Sequence, residues 1–377
     1  MLSIIATKNG LDKAKKLCPF FMLINLTVLG RHDTFGGIKT VKELAERKET
    51  FDMSGGTSGT RFIKNTVLKH ISHKDMFYPE VGRDYEVVDK FEDKYLISAT
   101  GYSGISGKMA YIRAVNNLSL SGAVCESIAI NIGYGDEVPE DYLRKEMISI
   151  ASLAKERRVR IIGGNTVCDR KGSSYGFTMT AYGKVDSKTL DQLSEKPKAG
   201  DKIVIIGNAG EYGASLITEI RRNEMRARFS DDYMDRYIPG DSEKLCIEDI
   251  ASEMIKAGAI YLHDVSFGGI YRTLLEVSEY CGCGITVRHE DIPIKQSTIE
   301  VCEFWNLNPY KLLGTGGLVA VFRGDSKNIP EGKAAGELID SKERIIQSER
   351  NRTHRSLTMY EEDEIYKVID SVHDIRQ

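Results

Sequence analysis

The sequence predicts an α/β (α+β) protein of two domains, and three observations lead to this prediction. Runs of branched apolar residues with strand periodicity alternate with helical stripes along both halves of the chain. The 377 residues, 41% of them hydrophobic, suffice for two cores. A polar, charged stretch at 186–200 is typical of a connector. We expect an N-terminal extension at 1–52, domains at 53–186 and 198–345, and a charged tail at 346–377.

The elements of the first half follow from their residue patterns. Residues 95–99 and the alternating runs 126–132 and 176–185 are typical of strands. The small-residue segment 106–123 predicts a helix. A second helix is indicated by an apolar stripe of Leu143, Met147, Ile150, Ala151 and Ala154.

The second half repeats this alternation. Helices are indicated by the apolar patterns at 246–254 and 270–280, and Ser297-Thr298-Ile299-Glu300 has the sequence of a capping box that starts a helix ending near Trp305. Beyond Arg323 the chain becomes charged, and no further element is assigned. Strands are predicted at 202–206, 259–265, 284–288 and 318–322.

Composition excludes two classes of binding partner. The formal net charge of −3, from 52 basic and 55 acidic residues, gives no overall field that favours nucleic acid or a membrane surface. Of the seven cysteines only Cys281 and Cys283 are close, and a zinc site would need a second pair. We therefore expect free thiols and a cytoplasmic protein. The apolar run 17–24 is too short for a transmembrane helix, and an extension is a better interpretation than a signal peptide.

Two glycine-rich segments are candidates for binding an anion. The apolar run before Gly163-Gly164-Asn165-Thr166 predicts a strand that stops at a turn, where exposed amides suit phosphate. An ordinary turn is the alternative. The segment 54–60 contains Gly55, Gly56 and Gly59, and it predicts either an anion cradle or a flexible connector.

Acidic and histidine residues form two further candidate groups. Asp84 and Glu86 are two positions apart at the entrance to a strand, so both can face one side and hold Mg²⁺; a solvated strand edge is the alternative. His263 and Asp264 can act as an acid–base or positioning pair, or can be structural. In the small-residue helix Asn117, with the asparagine before it, either bonds to backbone in the core or faces a ligand.

The order of four motifs carries a resemblance to a known family. Taken together they resemble the PurM-like (aminoimidazole-ribonucleotide synthetase-related) ATP-binding superfamily, and within it the hydrogenase-maturation HypE group. The resemblance covers roughly residues 54–323. The motifs are Gly163-Gly164-Asn165-Thr166, Lys198-Ala199-Gly200-Asp201 before a strand, His263-Asp264 ahead of Gly268-Gly269, and Asn308-Pro309 ahead of Gly316-Gly317-Leu318.

This resemblance implies a homodimer that pairs through the N-terminal sheet domain, a C-terminal α/β domain, and ATP with Mg²⁺ in the cleft between the domains. By motif, Asp84 is a metal ligand, and spacing adds Glu86. His263 and Asp264 line the acceptor side. The nucleotide would contact Gly55, Gly56, Gly59, Asn117, Gly163, Gly164, Asn165 and Thr166.

The chain also departs from the family pattern. Asn117 replaces an expected aspartate, Gly101 falls where another acid is usual, and Arg83 and Asn165 stand where acids are common. An amide in place of a carboxylate removes an anionic ligand that Mg²⁺ prefers. HypE-group proteins end in a cysteine that accepts a carbamoyl group. The last cysteine here is Cys302, so we expect that chemistry not to run on this chain's own tail.

The resemblance implies ATP-dependent activation of an amide or carboxyl-type oxygen on a small-molecule or protein acceptor, in hydrogenase maturation and with a partner of that process. Two alternatives stay open. One is a nucleotide-binding maturation partner that has lost catalysis, and the other is a small-molecule kinase of the thiamine-phosphate type. The missing acids leave open whether the protein is an enzyme.

Overall fold

The computed structural model describes residues 63–71, 79–169, 171–238, 245–329, 334–357 and 362–369. They belong to one compact unit that carries two β-sheets. Gly55, Gly56 and Gly59 lie outside the described residues. The proposed domain bounds stay a prediction, because the described residues form a single compact unit. None of the helices in the described ranges is long and apolar enough to cross a membrane.

The first sheet has five strands in the spatial order β1-β2-β5-β3-β4. All neighbours are antiparallel except β3 and β4, which run parallel. Two helices belong to this half, α1 (Gly107–Ser119) and α2 (Glu140–Glu156). The strands are β1 (Glu86–Phe91), β2 (Lys94–Ser103), β3 (Val124–Gly135), β4 (Arg160–Asp169) and β5 (Tyr175–Asp186).

The second sheet has seven strands in the order β12-β11-β8-β10-β6-β9-β7. Strand β9 is buried at every position and lies between β6 and β7. The strands are β6 (Lys202–Ile206), β7 (Tyr261–Val265), β8 (Gly284–Arg288), β9 (Gly317–Phe322), β10 (Ala334–Ile339), β11 (Arg344–Ser348) and β12 (Thr353–Ser356).

Helices in the second half and in the connector complete the fold. A π-helical turn at Ile63–Val67 and a 3₁₀ turn at Leu68–His70 precede the first sheet. The α-helices are α3 (Ser187–Leu193), α4 (Glu211–Ile220), α5 (Arg222–Met225), α6 (Asp231–Tyr237), α7 (Glu248–Lys256), α8 (Gly269–Cys281) and α9 (Gln296–Trp305).

Helix α1 packs unusually close to the first sheet. A Cβ atom on Gly101 of β2 would lie 2.3 Å from the backbone nitrogen of Ala114 and 2.5 Å from the carbonyl oxygen of Ala110. Real Cβ contacts are not this short, so only glycine lets β2 and α1 approach to this distance. The aspartate that the family resemblance leads one to expect at this position therefore does not fit here.

The structure corrects the predicted turn at Gly163-Gly164-Asn165-Thr166. These residues lie inside β4, where Gly163 and Gly164 pair with Ala129 and Ile130 of β3. Both glycines continue the strand with φ of +148° and +151°, a conformation that residues with a side chain rarely adopt. A Cβ on Gly164 would lie 1.6 Å from the Ile130 carbonyl oxygen. The glycines therefore permit strand pairing here.

Two other local predictions differ from the structure. Helix α9 begins at Gln296 with Lys295 at the N-cap, so Ser297 lies within the first turn and the capping-box prediction is wrong. Residues 186–200 include α3, because the Asp186 carboxylate accepts a hydrogen bond from the Thr189 amide and caps a helix.

The segment at 346–377 differs most from its description as a charged tail. Its described part supplies β12 to the second sheet and buries Ile365 and Ile369. Strand β10, before this segment, lies between β8 and β6 and was also not predicted. The charged side chains of these strands are exposed or half-buried, so a charged composition did not indicate strands here.

Candidate active site

A cavity of about 600 Å³ lies between the two halves of the chain. One wall comes from the approach to β1, the end of β2 and helix α1; the other comes from β7, the loop after it and α8. Residues near the described C-terminus, including Ile365 and Tyr366, also line it. The cavity therefore brings together segments that are distant in sequence.

His263 lies at the centre of a charged group in this cavity. Its Nδ1 contacts the Asp84 carboxylate, and its Nε2 lies 3.1 Å from Oε2 of Glu276. Glu276 faces back toward β7 from helix α8 and also accepts a 3.0 Å hydrogen bond from Arg272 Nε. The three side chains of Asp84, His263 and Glu276 are only 14%, 6% and 17% exposed. A buried imidazole between two carboxylates is held as an imidazolium that donates from both nitrogens.

The pKa values agree with this arrangement. Burial alone would lower the pKa of His263, but the carboxylates of Asp84 and Glu276 outweigh it and hold that pKa well above 6.5. Burial would raise the pKa of Glu276, but His263 and Arg272 hold it below its usual value of 4.5. His263 and Glu276 are therefore both charged at neutral pH.

The pKa of Asp264 is raised, whereas that of Glu276 is lowered. Burial raises its pKa to about 7, the negative charge of Asp84 adds to this effect, and His263 opposes it. Its backbone amide lies 3.4 Å from the Asp84 carboxylate. A carboxyl group with a pKa near neutrality can take up or release a proton under physiological conditions.

The donor atoms of Asp84, His263 and Asp264 lie within 4.8 Å of one another. Two carboxylates are the oxygen donors that suit Mg²⁺, which is commonly held by one or two carboxylates plus the phosphates of a substrate. The expected second metal ligand, Glu86, lies outside this group. Glu86 is the first residue of β1, and the Glu86 carboxylate pairs with the Arg83 guanidinium at 3.2 Å.

The predicted nucleotide residues fall in different places. Asn117 lines the cavity, and its Nδ2 donates to the Thr100 carbonyl oxygen at 3.2 Å. Its neighbour Asn116 is instead a buried core amide that bonds to the backbone of residues 245 and 247. The residues Gly163, Gly164, Asn165 and Thr166 line a separate shallow groove beside α2.

Two lining residues, Glu276 and Arg113, and one residue that supports the C-terminal segment, Asp363, were missed from the sequence. Glu276 and Arg113 are both charged residues on apolar helix faces, which was the available signal. Asp363 is buried, and burial raises its pKa to about 6. Its carboxylate accepts hydrogen bonds from the backbone amides of Gly268 at 2.6 Å, Leu313 at 3.2 Å and Ile365 at 2.9 Å. It therefore fixes the C-terminal segment to the loop after β7.

Replacing Asp363 by alanine is expected to lower the free energy of unfolding by about 3 kcal/mol, because three buried amides lose their acceptor. Asp363→Asn keeps one acceptor oxygen and should lose less. Urea denaturation measures both, with the exposed Asp325→Ala as the control. Equal stability of Asp363→Ala and wild type would show that these bonds do not hold the segment.

Replacing Asp264 by asparagine is expected to remove a pH dependence of stability. Because the pKa of this acid is raised from 3.8 to about 7, its burial costs nothing below pH 4 and destabilises the protein increasingly as pH rises to 7. The variant should therefore be more stable than wild type at pH 8, by about 2 kcal/mol or more, but not at pH 4. Urea denaturation without divalent metal tests this, and an equal difference at both pH values would contradict it.

Comparisons with known proteins bear on this site. Residues 198–329 match a family model described as the AIR synthase related protein, C-terminal domain. Carbamoyl dehydratase HypE of Rhizobium leguminosarum bv. viciae is 25% identical over 284 residues, which are 72% of this chain and 77% of that protein.

Solved structures agree with the sequence relatives. A structure of the hydrogenase maturation protein HypE in complex with ATP matches with a TM-score of 0.60 at 20% identity, covering 83% of this chain and 97% of that one. A HypE–HypF complex contains a chain that matches with a TM-score of 0.60 at 22% identity, covering 78% and 98%. The fold is a PurM-like α/β fold with two sheets, and the resemblance inferred from the motifs is confirmed.

Proposed function

We propose that this chain, a relative of the AIR synthase-related HypE proteins, binds ATP in the cavity and uses it to activate an amide or carboxyl-type oxygen of an acceptor. The observation that carries this proposal is the group of Asp84, His263 and Asp264, in which His263 is buried and both acids are half-buried, at a cavity large enough for a nucleotide. The carbamoyl dehydratase relative and the ATP complex of HypE support it.

The chemistry that suits this group is phosphoryl transfer. The acceptor oxygen attacks the γ-phosphorus of ATP, the bond from that phosphorus to the β,γ-bridging oxygen breaks, and ADP leaves. As a nucleophile then forms a bond to the carbon that carries the phosphorylated oxygen, the C–O bond breaks and phosphate leaves with its electron pair. Asp264, with a pKa of about 7, takes the acceptor's proton, while the imidazolium of His263 fixes Asp84 in place. Catalysis rests mainly on positioning and charge neutralisation.

The residue that would hold Mg²⁺ in this proposal is Asp84, because one carboxylate together with the substrate phosphates suffices and Asp264 serves as the base. The ion would neutralise negative charge on the phosphates. Glu86 is a weaker candidate because Arg83 already pairs with it.

A homodimer is part of the proposal and rests on β4. This edge strand exposes Ile161, Ile162 and Val167 at 40%, 56% and 50%, and exposed apolar edges in soluble proteins are normally covered. The same strand carries Gly163 to Thr166, which do not line the cavity of their own subunit. In a dimer paired through β4 they would contact only the nucleotide of the neighbouring subunit. Light scattering that gave the mass of a monomer would exclude this part.

The HypE–HypF complex supports a hydrogenase-maturation protein as a further partner.

A second candidate function is a nucleotide-binding partner without catalysis. Gly101 and Asn117, where the family pattern has acids, favour it. A kinase of the thiamine-phosphate type would use the same first step with a different acceptor.

ATP binding by calorimetry and ADP release with and without Mg²⁺ separate these functions. The proposal expects both binding and Mg²⁺-dependent release, and Asp84→Asn should lower release on the order of a hundredfold. Tight binding with no release would leave only the non-catalytic function. No binding would exclude every nucleotide function.

A further inference from the structure

Arg113 is a buried cation with unused hydrogen-bond donors. It lies on α1, is 8% exposed and lines the cavity. Its Nη1 donates to the Tyr102 carbonyl oxygen at 2.9 Å, but Nε and Nη2 have no partner among the described residues. The guanidinium carbon lies 4.5 Å from the centre of the Phe267 ring, which holds the planar group in a fixed orientation.

The protein treats its other buried arginine in this region differently. The side chain of Arg272 is 4% exposed, and its Nε pairs with Glu276 at 3.0 Å. No carboxylate of the described ranges lies within 4 Å of Arg113. A buried charge without a partner costs free energy, and burial lowers the pKa of Arg113 accordingly. Such a residue is expected where a ligand completes its bonding.

The lining residues of α1 and β2 other than Arg113 are neutral, and Asp264 and Asp363 act on Arg113 through their charges, without a hydrogen bond to its Nε or Nη2. Gly101 has no side chain and cannot accept one, because α1 occupies the space. Asn117 presents an amide, and its buried Oδ1 has no partner in the described structure. The carboxylates of Asp84 and Asp264 belong to the charged group described above. The wall formed by α1 and β2 therefore favours an anion, although the family pattern leads one to expect acids there.

We propose that Arg113 binds an oxyanionic group of the ligand, phosphate or carboxylate, directly through Nε and Nη2. The fork of the guanidinium group matches two oxygens of either anion. The inference deepens the proposed function, since it assigns an anion subsite in the same cavity. It rests on that function only for the identity of the ligand. The anion comes either from the nucleotide phosphates or from a carboxylate on the acceptor.

Calorimetry on the full chain tests the inference with four probes: ATP, adenosine, inorganic tripolyphosphate and succinate. We expect Arg113→Met to weaken binding of at least one anionic probe by roughly tenfold or more, as loss of hydrogen bonds to a charged group should. Loss for ATP and tripolyphosphate assigns the subsite to phosphate, and loss for succinate alone assigns it to the acceptor. Adenosine, which lacks the anion, should bind both proteins equally.

Arg228→Met is the matched control. Arg228 also lies over a phenylalanine ring, at 5.4 Å from that of Phe229, and it does not line the cavity. The Arg228→Met substitution removes the same charge, and we expect the affinity for each of the four probes to stay within roughly twofold of wild type. A change equal to that of Arg113→Met would assign the effect to net charge and overturn the inference.

The outcomes separate this inference from the proposed function. If ATP does not bind but tripolyphosphate or succinate binds in an Arg113-dependent manner, the anion subsite stands and the ATP function fails. If no anionic probe binds wild type more tightly than Arg113→Met, the subsite is excluded, whether or not ATP binds. Anion-dependent rises in melting temperature provide a second readout, and Arg113→Lys replaces the methionine variant if the latter does not fold.

Discussion

Replacing His263 by alanine is expected to lower the free energy of unfolding by about 3–5 kcal/mol at pH 7 and to lower ADP release at least a hundredfold. The imidazolium is the cation between Asp84 and Glu276, and its loss leaves Asp84 beside Asp264 without a compensating charge. Urea denaturation and an ADP assay measure the two effects.

The second change in this experiment is Asp84→Asn on the His263→Ala background. It neutralises the uncompensated carboxylate, so we expect part of the stability to return while ADP release stays low. If the double variant were no more stable than the single one, the charge relation between these two side chains would be wrong.

The sign of the pH dependence is fixed by the raised pKa of His263. A raised pKa stabilises the folded protein fully below the unfolded value of 6.5, and this contribution is lost as pH rises through the folded value. The stability difference between wild type and His263→Ala should therefore be larger at about pH 6 than at about pH 10.

Replacing Gly101 by aspartate is expected to destabilise the protein by about 3 kcal/mol or more, and not to create a metal ligand. The new Cβ would meet backbone atoms of Ala110 and Ala114, which cannot move without separating α1 from β2. Urea denaturation measures the loss, and titration with Mg²⁺ tests for a gained site.

Gly133→Ala is the matched control for this prediction. Gly133 also lies in a strand of the first sheet, but a Cβ there would have no heavy atom within 4 Å. We expect its stability to change by less than about 1 kcal/mol. A stable Gly101→Asp variant with tighter Mg²⁺ binding would show that the close packing of α1 does not exclude an acid.

The sequence predicted elements well where one face is periodic. Strand β8 was predicted at 284–288 and occupies Gly284–Arg288, because its apolar residues alternate. Strand β10 was missed, since its residues Ala-Ala-Gly-Glu-Leu-Ile have weak strand propensity and its neighbours determine its place. The glycines of β4 were misinterpreted because glycine marks turns and close strand approaches alike.

The candidate site was predicted only in part. His263, Asp264 and Asp84 were singled out separately, but 179 positions separate Asp84 from His263, and no local pattern encodes their contact. Glu276 was missed for the same reason. The apolar face of α1 was the available signal for Arg113, but the unpartnered donors of its guanidinium group could be found only from the structure.

The central claim is that one cavity between the two halves binds ATP. Hydrogen–deuterium exchange of the full chain with and without ATP tests it most directly, because it reports protection peptide by peptide. We expect ATP to slow exchange on both walls, in peptides covering 100–117 and 263–269. Exchange unchanged in both segments at saturating ATP would contradict the claim.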